Sequence, residues 1–502
     1  MKRSPIAIFL NGVEKVGNAL PHPATLFGIF ALLVLLFSAL FAALGSSAVH
    51  PGTGEVFEAV NLLSRDGVHM ILTLMVKNFT NFAPLGIVIV AMLGIGLAEN
   101  SGLIAVLIRS LVIYSPEKYL TFIIVLAGIL SNLASSVGYV LLVPLAGIIF
   151  MAVNRNPIAG MAAAFAGVSG GYSANLVLGT IDPLLAGLSQ EAARLVDPLY
   201  HVNPTANYYF MVASTFLIAI LGTWVTEKIV IPRLGPYKNE NIEKEEITRL
   251  TKIEKKGIKR ASLLFLGFIV LLLIGLLPSN GILRGTDGSF LKSPVLKGVV
   301  AILFLVAGLM GLVYGIVVGK YKNDSDVMKG MSESMKTLAS YIVLVFFAAQ
   351  FVEYFNWSNL GIIMAINGAS FIQSLNLGLI PLMIMFAIFA GSINLVMGSA
   401  SAKWALLAPI FIPMFMFLGY TPELTQVVYR IGDSVTNIIS PMMSFFALII
   451  VYFQKYDAKS GIGTLVATML PYSIVFFLGW VVLLVIWLLT GLPLGPGAAL
   501  HL

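Results

Sequence analysis

Residues 119–152 read YLTFIIVLAGILSNLASSVGYVLLVPLAGIIFMA, two apolar arms around the polar centre Ser131-Asn132-Leu133. Each arm holds about 12–16 residues and would extend about 18–24 Å as a helix. A complete crossing of the hydrocarbon core takes about 20 apolar residues. The segment is therefore predicted to enter the bilayer, turn at the polar centre and return as a re-entrant hairpin.

A second segment repeats this pattern over residues 377–418. Its sequence is LGLIPLMIMFAIFAGSINLVMGSASAKWALLAPIFIPMFMFL, apolar on both sides of Ser392-Ile393-Asn394. We predict a second re-entrant hairpin that turns near these three residues and enters from the opposite face of the membrane.

The composition predicts a membrane protein around these hairpins. Of the 502 residues, 58% are hydrophobic and 11% are charged, whereas soluble domains carry about 25% charged residues. The basic residues that give the chain its net charge of +7 lie in short loops between apolar segments. The partner is therefore predicted to be a lipid bilayer and not nucleic acid. The chain has no cysteine, which excludes disulfides and thiolate metal sites.

Nine further segments are predicted to span the membrane, which gives an all-α polytopic protein with nine transmembrane helices and two re-entrant hairpins. Two of the nine are overlong and interrupted by glycine, asparagine and proline. Two other apolar segments, 102–114 and 360–374, are too short to cross and are predicted to lie along the interface. The predicted spans are 23–45, 83–98, 157–187, 206–230, 262–278, 295–319, 337–354, 422–454 and 463–490.

The loops predict the orientation, because cytoplasmic loops are enriched in Lys and Arg. The loop 232–260 has nine such residues and 320–336 has four, whereas 46–67 and 188–205 have one each. The N-terminus is therefore predicted to be cytoplasmic and the C-terminus periplasmic. A single crossing by 119–152 would place the basic loop 232–260 on the wrong side, which favours the hairpin.

The elements of the two halves correspond in order, hairpin to hairpin and interrupted helix to interrupted helix. This predicts two inverted-topology repeats, residues 1–230 and 295–502, joined by a cytoplasmic connector and linking helix in 231–294. The spacing agrees, since Asn132 to Asn175 and Asn394 to Asn437 are both 43 residues apart.

Interrupted helices at membrane depth indicate where a solute binds. Their unpaired backbone groups each cost several kcal/mol unless protein, water or a ligand satisfies them, and paired interruptions mark the binding sites of transporters. The alternative is that small residues only permit close helix packing. The predicted interruptions are Ser131–Leu133, Gly170–Asn175, Ser392–Ser401 and Thr436–Pro441.

Charged residues within spans are costly and commonly functional. Arg430 and Asp433 are three positions apart, which places them on one helix face where they can pair. They are either a structural ion pair, or Arg430 binds a substrate carboxylate while Asp433 or Asp182 exchanges a proton. Trp404 could stack on an aromatic ligand or simply pack. Lys403 could reach the interface, pair with an acid or contact an anion.

Three blocks of sequence resemble the p-aminobenzoyl-glutamate transporter (AbgT) family. They are LSNLASSVGYVLLVPLAGIIFMAVNRNPIAGMAAAFAGVSGGYSANLVLGTIDPLLAG from residue 130, GSINLVMGSASAKWALLAPIFIPMF from residue 391 and YRIGDSVTNIISPMM from residue 429. The resemblance covers essentially the whole chain. It implies a homodimer in a bacterial inner membrane, and a place in the ion-transporter superfamily.

The resemblance also implies site residues and ligands. No cofactor is expected beyond a possible sodium ion. The expected substrates are p-aminobenzoyl-glutamate and sulfonamide antimetabolites, with a glutamate carboxylate suited to Arg430 and an aminobenzoyl ring suited to Trp404. The implied residues are Asn394, Ser399, Trp404, Arg430 and Asp433 for substrate, Asp182 and Asp433 for protons, and Ser131, Asn132, Gly170 and Asn175 for sodium.

The predicted function is secondary active transport of such anions, coupled to protons, sodium or both. Import of aminobenzoyl-glutamate for folate salvage and export of drugs both stay open, because the sequence does not set the direction. No Walker A, HExxH or GxSxG motif occurs, and the chain is not predicted to be an enzyme. An intramembrane amide hydrolase is a remote alternative, because no histidine lies in an interruption. A passive channel is another.

Overall fold

A computed structural model describes residues 21–51, 53–133, 137–237, 249–336 and 338–502. The described chain is mostly helical, and its β-structure consists of isolated bridges and one small antiparallel hairpin, in which Ala48 pairs with Phe57. Its strands are β1, Ser47–Val49, and β2, Val56–Glu58. The sequence analysis did not predict these strands, because three residues are too few to show an alternating pattern.

The described residues of the first half of the chain contain ten α-helices. Short turns of other helical types adjoin them, a 3₁₀ turn at Ser131–Leu133 and π turns at Gly138–Leu142, Ala166–Gly170 and Thr226–Val230. The helices are α1 Pro23–Ala43, α2 Arg65–Asn81, α3 Ala83–Asn100, α4 Leu103–Ile113, α5 Leu120–Leu130, α6 Val143–Ala152, α7 Pro157–Phe165, α8 Ile181–Ala193, α9 Tyr208–Val225 and α10 Ile231–Leu234.

The described residues of the rest of the chain contain eleven further α-helices. They are α11 Lys252–Leu276, α12 Pro294–Lys297, α13 Val299–Val317, α14 Asp324–Lys336, α15 Ala339–Trp357, α16 Leu360–Ser374, α17 Leu379–Val396, α18 Ala400–Phe417, α19 Pro422–Asn437, α20 Phe446–Tyr456 and α21 Ile462–Thr490.

Nine helical segments of the described residues are long and apolar enough to cross a membrane. Seven correspond to predicted spans, and the other two are α17 and α18, the arms of the second predicted hairpin. The two interrupted spans are divided into α7 with α8, and α19 with α20, and each piece is too short to be counted alone. The predicted class, an all-α polytopic membrane protein, is confirmed. Its division into inverted repeats stays a prediction.

The two hairpins differ in how well the predicted turn matches the structure. In the first, α5 ends at Leu130 and a 3₁₀ turn follows at Ser131–Leu133, where the interruption was predicted. The predicted turn at Ser392–Asn394 is wrong, because α17 continues to Val396 and the chain turns at Met397–Ser399. The Asn394 side chain bonds to a neighbouring helix, so the polar residue does not interrupt its own helix.

The end of the second turn is set by a helix cap. The Ser399 hydroxyl accepts a hydrogen bond of 3.3 Å from the Ala402 amide, which satisfies one of the free N–H groups at the start of α18. The small residues Gly398 and Ser399 therefore form the turn that the more strongly polar Asn394 was expected to form.

The interrupted helices lie at the centre of the molecule. Every residue of α7 is buried, and so is every residue of α19 except Thr436. Helix α11 lies at the periphery and buries only Gly257, Ala261 and Gly275. It also begins ten residues before the predicted span, because Thr251 and Glu254 form a capping box at its start.

The short helix α4 lies at a steep angle to the first hairpin. The chain bends by 112° between α4 and the segment Glu117–Leu133. A helix of this length next to such a bend fits the predicted position along the interface, and α16 occupies the corresponding place before the second hairpin.

Candidate functional site

Asn394 links the second hairpin to the second interrupted helix. Its side-chain nitrogen donates to the Asp433 carbonyl at 2.7 Å, to Thr436 Oγ1 at 2.8 Å and to Asn437 Oδ1 at 2.9 Å. The backbone carbonyl of Asn394 accepts a hydrogen bond from the Ser440 hydroxyl at 3.0 Å. These bonds join the end of α17 to the end of α19, so the hairpin and the interruption form one unit.

Lys403 and Asp433 form a buried ion pair inside this unit. The ammonium lies 2.5 Å from Asp433 Oδ1 and also contacts Asn394 Oδ1. The second oxygen of Asp433 accepts from Asn437 at 3.3 Å. Lys403 is fully buried and Asp433 nearly so. Of the three roles left open for Lys403, the structure shows pairing with an acid.

Arg430 pairs with Asp182 and not with Asp433, so the predicted pairing within one helix is wrong. Arg430 Nη2 lies 2.7 Å from Asp182 Oδ1, and Asp182 Oδ2 accepts from the Gly179 amide at 2.7 Å. Buried charges are stable only when compensated, and both Arg430 and Asp433 find opposite charges on other segments. The Arg430–Asp182 pair joins the two interrupted helices.

Trp404 is fully buried and stacks on Tyr429, with ring centroids 4.4 Å apart. Its indole nitrogen donates to the Ser189 hydroxyl at 3.0 Å, and Ser189 donates to Gln426 at 2.6 Å. Both the face and the polar edge of this ring are therefore engaged by protein. In this conformation Trp404 packs and presents no open face to a ligand.

The first hairpin has a neutral version of the same arrangement. The Asn132 side chain donates to the carbonyls of Ile129 and Val168, at 3.2 and 3.0 Å. Asn175 donates to the same Ile129 carbonyl at 3.3 Å, and Ser131 donates to the Gly128 carbonyl at 2.6 Å. Three of the four residues implied for sodium thus converge. The side of Gly170 instead faces Phe476 and Ile438.

A cavity of about 370 Å³ lies between the interruptions. Ser399 is the one predicted substrate residue that lines it, and no residue of its lining, within the described chain, is charged. Aromatic and hydroxyl side chains line it together with apolar ones such as Val88, Leu184 and Leu338. Tyr139 and Phe445 stack at 4.4 Å. The lining includes Tyr139, Tyr172, Thr180, Tyr341, Gly398, Ser399, Ser401, Asn437, Ser444 and Phe445.

The charged pairs lie beside this cavity and not in its wall. Asn437, which lines the cavity, donates to Asp433 Oδ2 at 3.3 Å. Arg430 lines a separate space of about 10 Å³ with Ser173 and Asn207, about the volume needed for one water. Neither Tyr139 nor Tyr172 was predicted as a site residue, although Tyr172 lies within the predicted interruption Gly170–Asn175.

The cavity, the interruptions and the compensated charges lie next to one another and together are the candidate site for a solute. No group of three or more His, Cys, Asp or Glu side chains that could hold a metal ion occurs in the described parts of the chain. An ion at the first hairpin would therefore be held by amide, hydroxyl and carbonyl oxygens.

Comparisons with known proteins agree with this geometry. The AbgT transporter family matches residues 8–502. The p-aminobenzoyl-glutamate transport protein of Escherichia coli K12 is 37% identical over 486 residues, which cover 97% of this chain and 95% of the relative. These values extend the resemblance seen in three blocks to nearly the whole sequence.

Two solved structures are also similar. The YdaH transporter of Alcanivorax borkumensis has a TM-score of 0.90 and 46% identity, covering 95% of this chain and 100% of that structure. MtrF of Neisseria gonorrhoeae, described with a class of antimetabolite efflux pumps, has a TM-score of 0.93 and 50% identity, covering 98% and 100%. The family and these neighbours are transporters, not enzymes. The chain is thus a membrane transporter and belongs to the AbgT family.

Proposed function

We propose that this transporter is secondary active and carries small aromatic organic anions of the p-aminobenzoyl-glutamate type, sulfonamide antimetabolites, or both. The observation that supports this most directly is the 370 Å³ cavity, whose lining includes residues of three of the four chain interruptions. Its size falls in the range of small-molecule sites. Its tyrosines offer faces to an aromatic ring, and its hydroxyl and amide groups offer hydrogen bonds.

Substrate recognition would combine this cavity with the adjacent charges. A benzoyl or sulfonamide ring would pack against the lining tyrosines Tyr172 and Tyr341, because Tyr429 covers the face of Trp404 and Phe445 covers that of Tyr139. Arg430 would reach a substrate carboxylate when the Asp182 pair opens. The p-aminobenzoyl-glutamate relative and the antimetabolite pump support the two substrate types.

Coupling would work through the same ion pairs. Asp182 and Asp433 each contact a cation, so a proton can neutralise either acid only at the expense of that pair. Proton uptake would then accompany movement of the hairpin against the interrupted helix. Sodium would bind at Ser131, Asn132 and Asn175, with Gly170 in the adjacent backbone.

The proposal places a homodimer in a bacterial inner membrane, with its N-terminus in the cytoplasm and its C-terminus in the periplasm. The exposed leucines of α11 supply an apolar surface for lipid or for a second subunit. Import for folate salvage and drug export remain the two directions of the same cycle.

The test is transport in proteoliposomes under separately imposed proton and sodium gradients. Labelled p-aminobenzoyl-glutamate and a labelled sulfonamide should accumulate against a gradient, and an ionophore that collapses the coupling gradient should stop it. Asp433→Asn should lose gradient-driven flux, whereas Asp324→Asn on the exposed helix α14 should not. Flux that is indifferent to both ionophores would indicate a channel. Release of p-aminobenzoate would indicate a hydrolase.

A further inference from the structure

The Lys403 ammonium occupies a position that resembles a cation site. It is fully buried and contacts two oxygens, Asn394 Oδ1 and Asp433 Oδ1. An amide oxygen and a carboxylate oxygen are the kind of ligands that hard cations prefer. An ammonium removed from water is costly unless it is compensated, so the oxygens of this cluster are arranged around a positive charge.

The first hairpin has the same framework without this charge. Asn132 donates to the Val168 carbonyl of one interrupted helix, and Asn394 donates to the Asp433 carbonyl of the other. Lys403 follows Asn394 by nine positions, and the residue nine positions after Asn132 is Leu141.

The carboxylate is missing from the first hairpin as well. Asp433 follows Asn394 by 39 positions, and the residue 39 positions after Asn132 is Gly171. The first hairpin thus has no charged side chain at these two positions, and the second holds a charged pair of its own.

We propose that Lys403 is a tethered substitute for an exchangeable cation at the second hairpin. This inference rests on the proposed function, in which the hairpin ends bind ions and substrate. Its consequence is that sodium from solution binds at the first hairpin and is excluded from the Asn394–Asp433 cluster by the lysine. Lys403 then limits how many sodium ions the transporter can bind.

A purely structural ion pair would make a different prediction. Removal of the lysine from a structural pair only leaves a carboxylate without a partner. Removal of a tethered cation also opens a vacant site, which a small cation can enter if the replacement leaves room. Lys403→Ala leaves that room, whereas Lys403→Met removes the same charge and fills most of the space.

The experiment measures the thermal unfolding midpoint in detergent with increasing sodium chloride, against choline chloride at equal ionic strength. Sodium that binds the folded state raises the midpoint by mass action. Lys403→Ala should gain a sodium-dependent increase larger than that of wild type. Lys403→Met should not gain it, and neither should the double variant Lys403→Ala with Asp433→Asn. Equal sodium responses in Lys403→Ala and wild type would overturn the proposal.

A second variant covers the case in which Lys403→Ala does not fold. Lys403→Met with Asp433→Asn replaces the pair by neutral side chains of similar size. Its unfolding midpoint should respond to sodium as wild type does, because neither protein binds sodium at this hairpin. A weaker response than wild type would show that the intact cluster binds sodium, contrary to the proposal. These assays use neither substrate nor gradient, so they are independent of the outcome of the transport test.

Discussion

Four buried charges show how individual residues are compensated in this protein. Asp182, Lys403, Arg430 and Asp433 form two pairs, each between residues far apart in the sequence. An exposed pair three positions apart on a helix contributes only a few tenths of a kcal/mol. Inside the membrane each charge instead needs a close partner to offset its desolvation, and this requirement decides the pairing.

Arg430→Met should destabilise the protein by about 3–5 kcal/mol, because it leaves the Asp182 carboxylate buried without its cation. The double variant with Asp182→Asn should recover most of that loss. Unfolding in detergent measures both. Glu333→Gln is the control, since it breaks the exposed pair with Lys336 and should cost less than about 1 kcal/mol. Equal losses in the single and double variants would contradict the pairing.

The cavity can be tested at Ser401, which lines it and is half-buried. Ser401→Trp adds a large ring to the cavity and should reduce binding of p-aminobenzoyl-glutamate at least tenfold. Ser401→Ala removes the hydroxyl and keeps the space, so it should retain binding within a few fold. Equilibrium binding to the purified protein separates the two effects. Full binding by Ser401→Trp would place the substrate elsewhere.

Glycine contacts hold each hairpin against its interrupted helix. A Cβ at Gly167 would lie 2.3 Å from the Val125 carbonyl oxygen, and one at Gly432 would lie 2.2 Å from that of Ala387. Gly128 and Gly391 face these contacts from the hairpin arms. Small residues at such crossings let helix backbones approach closely in membranes. The same device occurs in both halves of the chain.

Gly432→Ala should lower the stability of the fold by about 1–3 kcal/mol, because the added methyl group forces α17 and α19 apart. The thermal unfolding midpoint should fall accordingly. Gly463→Ala is the matched control, as its Cβ would meet nothing within 4 Å, and alanine is the better helix former. An unchanged unfolding midpoint in Gly432→Ala would show that α17 and α19 can accommodate the added methyl group.

The orientation of the whole molecule is a prediction from the distribution of basic residues between loops. The chain has no cysteine, so a single introduced cysteine reports its location without background. Ser332→Cys in α14 should react with an impermeant thiol reagent only from the cytoplasm. Thr286→Cys, between α11 and α12, should react only from the periplasm. Labelling of intact and of opened cells distinguishes the two, and reversed reactivity would invert the predicted topology.

Much of the architecture is already present in local sequence. Long apolar runs define the spans, because in lipid the backbone N–H and C=O groups must form hydrogen bonds within the helix. Helix α16 has the bounds predicted for it. The interruption after Gly170 and the one after Asn437 were also predicted. The turn of the second hairpin was misplaced, because Asn394 is a polar residue that bonds across helices and stays helical itself.

The contacts between distant segments could not be predicted in this way. Neither spacing nor hydropathy shows that Lys403 contacts Asp433, that Arg430 contacts Asp182, or that Tyr429 covers Trp404. These contacts depend on which interrupted helix lies against which hairpin, and packing sets that arrangement. Local sequence therefore specifies where the helices cross and break. The close packing of the folded chain specifies which charges meet and where a cavity remains.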